Sequence, residues 1–367
     1  MSTPIDVAII GGGYYGCYAA LVIKKLRPKA RVVVLEKNPA VFGRASSTNQ
    51  GQLHMGYLYS AYPELAHECA KGAQEFESAF GSTVNKQTEA YYAVHQGSDI
   101  SPANYLAFAQ EVGLPCEEVK TPPPDIFGPA LAAVFKTAEK TFSNKRLQAL
   151  LLADLQQSGI ELRTKYAVDT ISHSNGRLLI KGSADTLEAA QVYNAAFADS
   201  NQLHAASGIA ALPLEHAVFL HFGVRLPAAY KNMAAFVVRG PYATLSPDFD
   251  APDITHVLAS GQYRKIRTAE GQAPSEELSV ADANHRYRQA VAEASPYLPL
   301  LSKATYVRPI IGTRTNYVDA NGVAASKAVV LADYNGLKGY HVVFGGKVSC
   351  LFEIIKPITH INREFMA

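Results

Sequence analysis

The chain has 367 residues, 48% of them hydrophobic, and a formal net charge of +2. That length exceeds one simple core and predicts two domains, while the near-neutral charge removes any electrostatic pull toward nucleic acid or acidic membranes. The four cysteines (Cys17, Cys69, Cys116, Cys350) are scattered without a CxxC pair, so neither a zinc site nor a disulfide framework is expected; no metal is assigned and a reduced, cytoplasmic setting follows.

In chain order, the run Ile5 to Ile10 reads as a buried strand, Tyr15 to Leu26 as a helix, and Arg31 to Glu36 as a second buried strand. The first apolar stretch carries Asp6 and lacks a basic flank, so it does not read as a signal peptide. A polar, glycine-bearing segment runs from Gly43 to Tyr59. Residues 62 to 80 have helical spacing, Tyr91 to Val94 looks like a strand, and Pro102 to Val112 like a helix. Three prolines at 122–124 mark a rigid surface connection. A helix starts at Ser143-Asn144, presents Leu147, Leu150, Leu151 and Leu155 on one face, and stops at Gly159. Strands are expected at 161–166 and 178–181, separated by the turn Ser174-Asn175-Gly176, and again at 191–196. Residues 207 to 305 are richer in strand-like segments. Val329 to Ala332 returns to a buried strand, and Val348 to Lys356 reads as a helix stopped by Pro357. No stretch of about 18 apolar residues is present, so no membrane span is expected.

The most informative motif is Gly11-Gly-Gly13-Tyr14-Tyr15-Gly16, between the first strand and the first helix, with Glu36 twenty residues beyond Gly16. Each position has a physical reason. Gly11 allows a tight turn, Gly13 a close approach of backbone to a pyrophosphate, and Gly16 close packing of helix on strand. The helix N-terminus offers N–H groups and a positive dipole end to phosphate, and Glu36 can accept ribose hydroxyls. Tyr14, Tyr15 and Lys37 belong to the same expected contact set. Cys17, next in the helix, reads as a small buried hydrophobe.

Beyond this unit, Ser47-Thr-Asn49-Gln50-Gly-Gln-Leu-His54-Met-Gly-Tyr57-Leu-Tyr59, Val192-Tyr-Asn-Ala-Ala196, Tyr306-Val-Arg308-Pro309 and Gly339-Tyr-His-Val-Val-Phe-Gly345-Gly346-Lys347 resemble segments of the flavin-dependent oxidoreductases of the D-amino-acid oxidase (DAO) superfamily. That family includes glycine oxidase, flavin glycerol-3-phosphate dehydrogenases and L-2-hydroxyglutarate dehydrogenases. The resemblance implies an α/β fold: a discontinuous Rossmann-type FAD-binding domain (1–90, 140–206 and 306–367) and a β-rich substrate domain (91–139 and 207–305). It implies FAD as cofactor. Val168 matches the family's valine at the adenine, and Arg308 its anion-holding arginine. Phe197 stands where the family has glycine.

On this reading Arg44, Ser46, Ser47, Asn49 and Gln50 supply donors to the pyrophosphate and flavin edge, any of them alternatively plain loop polarity. Gly345 and Gly346 let backbone lie against a flat ring. Lys347 places a cation near the flavin, or is a solvated lysine in a strand-to-helix turn. His54 can act as a proton acceptor or make a structural bond. Arg308 and Arg314 can capture a carboxylate or phosphate, or form surface ion pairs. Tyr57, Tyr59, Tyr91 and Tyr242 can line a substrate pocket, or each be a core or surface residue of this tyrosine-rich chain. The basic cluster Tyr263 to Arg267 receives no site role.

The expected activity is removal of a hydride from a CH–OH or CH–NH group of a small, anionic substrate, with electrons passed to oxygen or another carrier. Two alternatives stay open: a single-component flavin monooxygenase reduced by NAD(P)H, and a non-catalytic nucleotide-binding protein.

Overall fold

A computed structural model describes residues 4–240, 242–261, 263–319, 324–325 and 328–366. The N-terminal unit forms as its glycine spacing dictates. Strand β1 (Ile5–Ile10) leads into helix α1 (Tyr14–Leu26), and the chain returns through strand β2 (Val32–Leu35), parallel to β1. Val7, Ile9, Val32 and Val34 face the layer that contains α1; Ile5, Ala8, Ile10, Val33 and Leu35 pack in the layer on the other side. Both faces are covered, which explains runs of apolar residues instead of alternation.

These two strands sit inside an eight-stranded sheet. Its order is Val168–Ser174, Arg177–Gly182, Thr186–Asn194, β1, β2, Glu161–Arg163, with Tyr340–Phe344 also paired to Thr186–Asn194 and Val329–Leu331 paired to Tyr340–Phe344. A second sheet has ten strands and is built around the long pair Leu214–Arg225 and Thr305–Val318. Glu89–His95 and Leu131–Thr137 extend its other side. The stretch 306–318, placed from the sequence with the nucleotide domain, thus pairs inside this second sheet. A small third sheet joins Gln52–Leu53, Lys140–Phe142 and Val84–Asn85.

Two local expectations need correction. The turn at Asn175-Gly176 connects Val168–Ser174 with Arg177–Gly182, whereas Glu161–Arg163 ends earlier and runs parallel to β2. Both turn residues have positive φ (51° and 76°), the backbone that a two-residue hairpin requires. Pro357 does not stop a helix. Val348–Ile354 is a 3₁₀ segment, and Pro357 lies in the first turn of the following helix Ile355–Met366. A first-turn N–H has no intrahelical acceptor, so proline costs nothing there.

The turn at the head of the first sheet depends on glycine at two positions. Gly11 has φ +104°, and a Cβ there would stand 2.5 Å from the Ala195 carbonyl oxygen. A Cβ on Gly16 would stand 2.0 Å from the Gly11 carbonyl oxygen. Neither neighbour is a movable side chain. Gly16→Ala should therefore destabilise the fold by about 1–3 kcal/mol through overpacking, read as a lower urea midpoint at unchanged m-value.

Candidate active site

A cavity of about 1120 Å³ opens between the first sheet and the second. One end is made by the first sheet: Gly11, Gly12, Gly13, Tyr14 and Tyr15 at the start of α1, Glu36 and Lys37 after β2, and Val168. Gly13 caps α1 with no side-chain bond, and the helix's first turn contains no acid, so the dipole end faces the cavity without a negative side chain from its own turn. The Tyr14 N–H donates to Ser46 Oγ at 3.1 Å. Glu36 is 7% exposed. Its Oε2 accepts the Gly12 N–H at 2.8 Å and its Oε1 accepts the Asn38 N–H at 2.8 Å. These bonds aim the carboxylate while leaving acceptor capacity for ribose hydroxyls.

The wall beside this end is held by ion pairs. Asp199 binds Lys37 Nζ at 2.7 Å and Arg44 at 2.6 Å. Burial works against the Asp199 carboxylate, but these two cations hold it below its ordinary range. Phe197 has φ +55° and stacks on Phe344 at 5.1 Å. The left-handed backbone explains why glycine suits this position, and the aromatic contact is what a phenylalanine adds.

Further along, Ser46, Asn49, Gln50 and His54 line the cavity. Asn49 and Asn144 bond each other reciprocally at 2.9 and 3.0 Å. The Gln50 Nε2 is buried and has no hydrogen-bond partner among the described residues, as expected of a donor awaiting a ligand. A Cβ on Gly345 would meet the Tyr15 ring at 2.6 Å, so only glycine allows that approach of strand end to helix. Gly346 and Lys347 follow it into the lining. These features fit a flavin nucleotide: a glycine-lined pyrophosphate end, a ribose acceptor, and an orphaned amide donor where the ring system would lie.

Lys347 Nζ sits 3.9 Å from the Tyr59 ring centroid and 3.6 Å from Cys69 Sγ. Burial depresses its pKa, against the neighbouring thiols of Cys69 and Cys350, which raise it. It is a desolvated cation and not the solvated lysine of an ordinary turn.

The far end of the cavity comes from the second sheet. Phe219, His221, Arg239, Tyr242, Arg264 and Arg314 line it, with Tyr59 opposite. The Arg264 guanidinium lies 4.1 Å from the Tyr242 ring centroid and 5.4 Å from that of Phe219. Burial, then the charges of Arg264 and Arg314, push His221 down to about 4. His221 is therefore neutral near pH 7.

Four expected site residues do not line the cavity. Arg308 shares its strand with Arg314 but is six residues away, roughly 20 Å along an extended chain. It binds Asp253 through Nε at 2.6 Å and does not line the cavity. Tyr57 is fully buried and donates from its hydroxyl to the Pro115 carbonyl at 2.6 Å, as a core residue. Ser47 turns away from the cavity and donates to the Phe42 carbonyl. Gly16 acts through packing beneath the turn and is not itself in the lining.

His221 and Arg264 were not singled out from the sequence. For His221 a signal existed: Leu220, Phe222 and Val224 are buried on one face of their strand, and a histidine between them belongs to the opposite face. For Arg264 the basic cluster hid it, since charge alone does not tell which member turns inward. Among the described residues, no group of three or more His, Cys, Asp or Glu could hold a metal. No helix among them is long and apolar enough to cross a membrane.

Comparison with known proteins agrees with this geometry. Residues 6–348 match the family model DAO, described as FAD dependent oxidoreductase. The mitochondrial L-2-hydroxyglutarate dehydrogenase of Dictyostelium discoideum is 38% identical over 69 residues, which is 19% of this chain and 16% of that protein. An FAD-dependent monooxygenase of Fusarium mangiferae is 39% identical over 59 residues, 16% of this chain and 15% of that protein. The alignments thus span less than a fifth of each of these relatives. The crystal structure of glycine oxidase from Geobacillus kaustophilus superimposes with a TM-score of 0.69 at 18% identity, covering 99% of this chain and 94% of that one. That likeness is one of fold.

A side chain at Gly13 would enter the cavity at the head of α1, 3.4 Å from Ser46 Oγ at its first atom. The purified protein should show oxidised-flavin bands at roughly 450 nm. Gly13→Val should be colourless with an unchanged far-UV circular dichroism spectrum; a yellow Gly13→Val protein would move the pyrophosphate site.

Proposed function

We propose a reaction from one premise: the chain belongs to the DAO family of FAD-dependent oxidoreductases, and its cofactor is FAD. The reading is that it oxidises a CH–OH or CH–NH group of a small, anionic organic substrate. The observation that carries it is the single cavity, which joins a nucleotide end at Gly11–Gly13 and Glu36 to an end bearing His54, Arg264 and Arg314. Guanidinium groups held in a partly desolvated cavity favour a carboxylate or phosphate.

FAD, when bound, supplies the acceptor for a hydride and so for two electrons. The rest falls to this chain. Gly11, Gly13, Glu36, Gln50, Gly345 and Gly346 hold the cofactor. Arg314, with Arg264 clamped between aromatic rings beside it, anchors the substrate anion. His54 takes the proton that remains on the substrate oxygen or nitrogen, leaving a C=O or C=N product. Lys347 provides positive charge where a reduced flavin is negative.

The test is anaerobic mixing of the flavin-loaded protein with L-2-hydroxyglutarate, other 2-hydroxy acids, glycine, other amino acids and amines. One of them should bleach the flavin. The matches to FAD-dependent monooxygenases favour a second reading, oxygen insertion after reduction by NADPH. Bleaching by NADPH, with none by the organic panel, would establish it.

Three variants refine the anchor and the cation. Arg314→Ala should weaken substrate binding about 10- to 100-fold, the loss of roughly 1.5–3 kcal/mol from a charged hydrogen bond, whereas Arg308→Ala should leave it unchanged. Titration of flavin reduction against substrate decides, and equal affinity in Arg314→Ala would exclude Arg314 as the anchor. Lys347→Met should move the flavin midpoint potential negative, by about 30 mV for each 1.4 kcal/mol of charge stabilisation lost in a two-electron couple.

A further inference from the structure

His54 follows the strand Gln52–Leu53, which pairs antiparallel with Lys140–Phe142: Gln52 faces Thr141 and Leu53 faces Lys140. Continuing that register by one pair sets His54 opposite Glu139. The side chains meet there, with His54 Nδ1 3.4 Å from Glu139 Oε1. Glu139 is almost wholly enclosed, its side chain 1% exposed, while His54 at 22% opens into the cavity. The second carboxylate oxygen, Oε2, accepts the Met55 N–H at 3.2 Å. Neither Glu139 Oε1 nor His54 Nδ1 has a hydrogen-bond partner among the described residues, and each is the other's ion-pair neighbour at 3.4 Å. A buried polar atom without a partner is costly, so these two atoms are each other's natural partner.

We propose that Glu139 is a positioning residue, paired with His54 so that Nδ1 carries the proton and Nε2, on the opposite edge of the ring, is bare toward the substrate. This rests on the reading of His54 as the proton acceptor. A carboxylate facing one imidazole nitrogen selects the tautomer protonated on that nitrogen and favours the imidazolium that forms when the other accepts a proton. The balance is simple: the substrate C–H leaves as hydride, its O–H or N–H proton goes to His54 Nε2, and Glu139 exchanges no atom.

The surroundings leave Glu139 as the acid that faces His54. Within reach of its charge are the phenols of Tyr57, Tyr59, Tyr92 and Tyr105 and the Cys69 thiol, all pushed up by burial first and by the Glu139 charge in addition, Cys69 by Glu68 as well. They are neutral near pH 7. Among cations, Tyr59, its ring centroid 6.1 Å from that of the imidazole, carries the Lys347 ammonium on its ring and lies in the field of Arg314, while Lys140, beside Glu139 in the chain, is paired with Glu77.

Glu139→Gln keeps the volume and an oxygen for the Met55 N–H, but turns an amide donor toward Nδ1 and selects the opposite tautomer. With the compound of the panel that reduces the flavin fastest, the limiting reduction rate should fall about 10- to 100-fold at unchanged substrate affinity. Nitrogen-15 NMR of the unmodified, flavin-loaded protein gives a readout independent of turnover, with the His54 signal assigned by its absence in His54→Asn. It should show Nδ1 protonated and Nε2 bare once the ring is neutral. An unchanged rate in Glu139→Gln, with His54→Asn inactive, would overturn the pairing and leave His54 as the base. An Nε2-protonated His54 in the unmodified protein would overturn it as well. Full activity in His54→Asn would overturn both readings.

Discussion

The Gly11–Gly16 contact is the constraint from which the site is built. The helix N-terminus can approach the sheet only because no Cβ separates the Gly16 Cα from the Gly11 carbonyl. That approach brings Gly13 and the start of α1 level with the ends of β1 and β2, where Glu36 emerges. Glu36 in turn accepts the Gly12 N–H and ties the turn to the second strand. One backbone-to-backbone contact thus sets the spacing between the positive end of the helix dipole and the Glu36 carboxylate.

A second close approach closes the cavity from the other sheet. A Cβ on Gly312 would meet the Thr48 hydroxyl at 2.4 Å, so the segment carrying Ser46, Asn49 and Gln50 rests against the strand that also bears Arg314. Glycine at that strand position lets the polar loop lie flat on the second sheet. The nucleotide end and the cationic end then become parts of one space.

Charge is distributed unequally along that space. At the nucleotide end, Lys37 and Arg44 share Asp199, so their charges are largely spent on positioning the wall. At the far end, Arg264 is supported by ring faces instead of a carboxylate, and Lys347 by a ring and a thiol. Ring quadrupoles orient a cation without cancelling it, so the local field stays positive. The low pKa of His221 registers that field, after burial.

How much of this is legible in the chain depends on the range of the interaction. The Gly11 to Glu36 unit, the Gly345-Gly346-Lys347 stretch and most helices and strands were readable from the amino-acid sequence, because turn chemistry and hydrophobic period act over a few neighbouring residues. Pairing across the sheets was not. Arg308 and Arg314 have the same chemistry on one strand, yet the first pairs with Asp253 away from the cavity and the second lines it. Tyr57 and Tyr59 are two residues apart, yet one is locked into the core by the Pro115 carbonyl and the other supports Lys347. Arg264 acquires its place from Tyr242 and Phe219, which other strands deliver. By itself the sequence determined the nucleotide fold and the kind of chemistry, since those rest on local backbone geometry. Which cations and imidazoles line the cavity was decided only by the tertiary structure, because burial and partner choice are set by residues tens to hundreds of positions away.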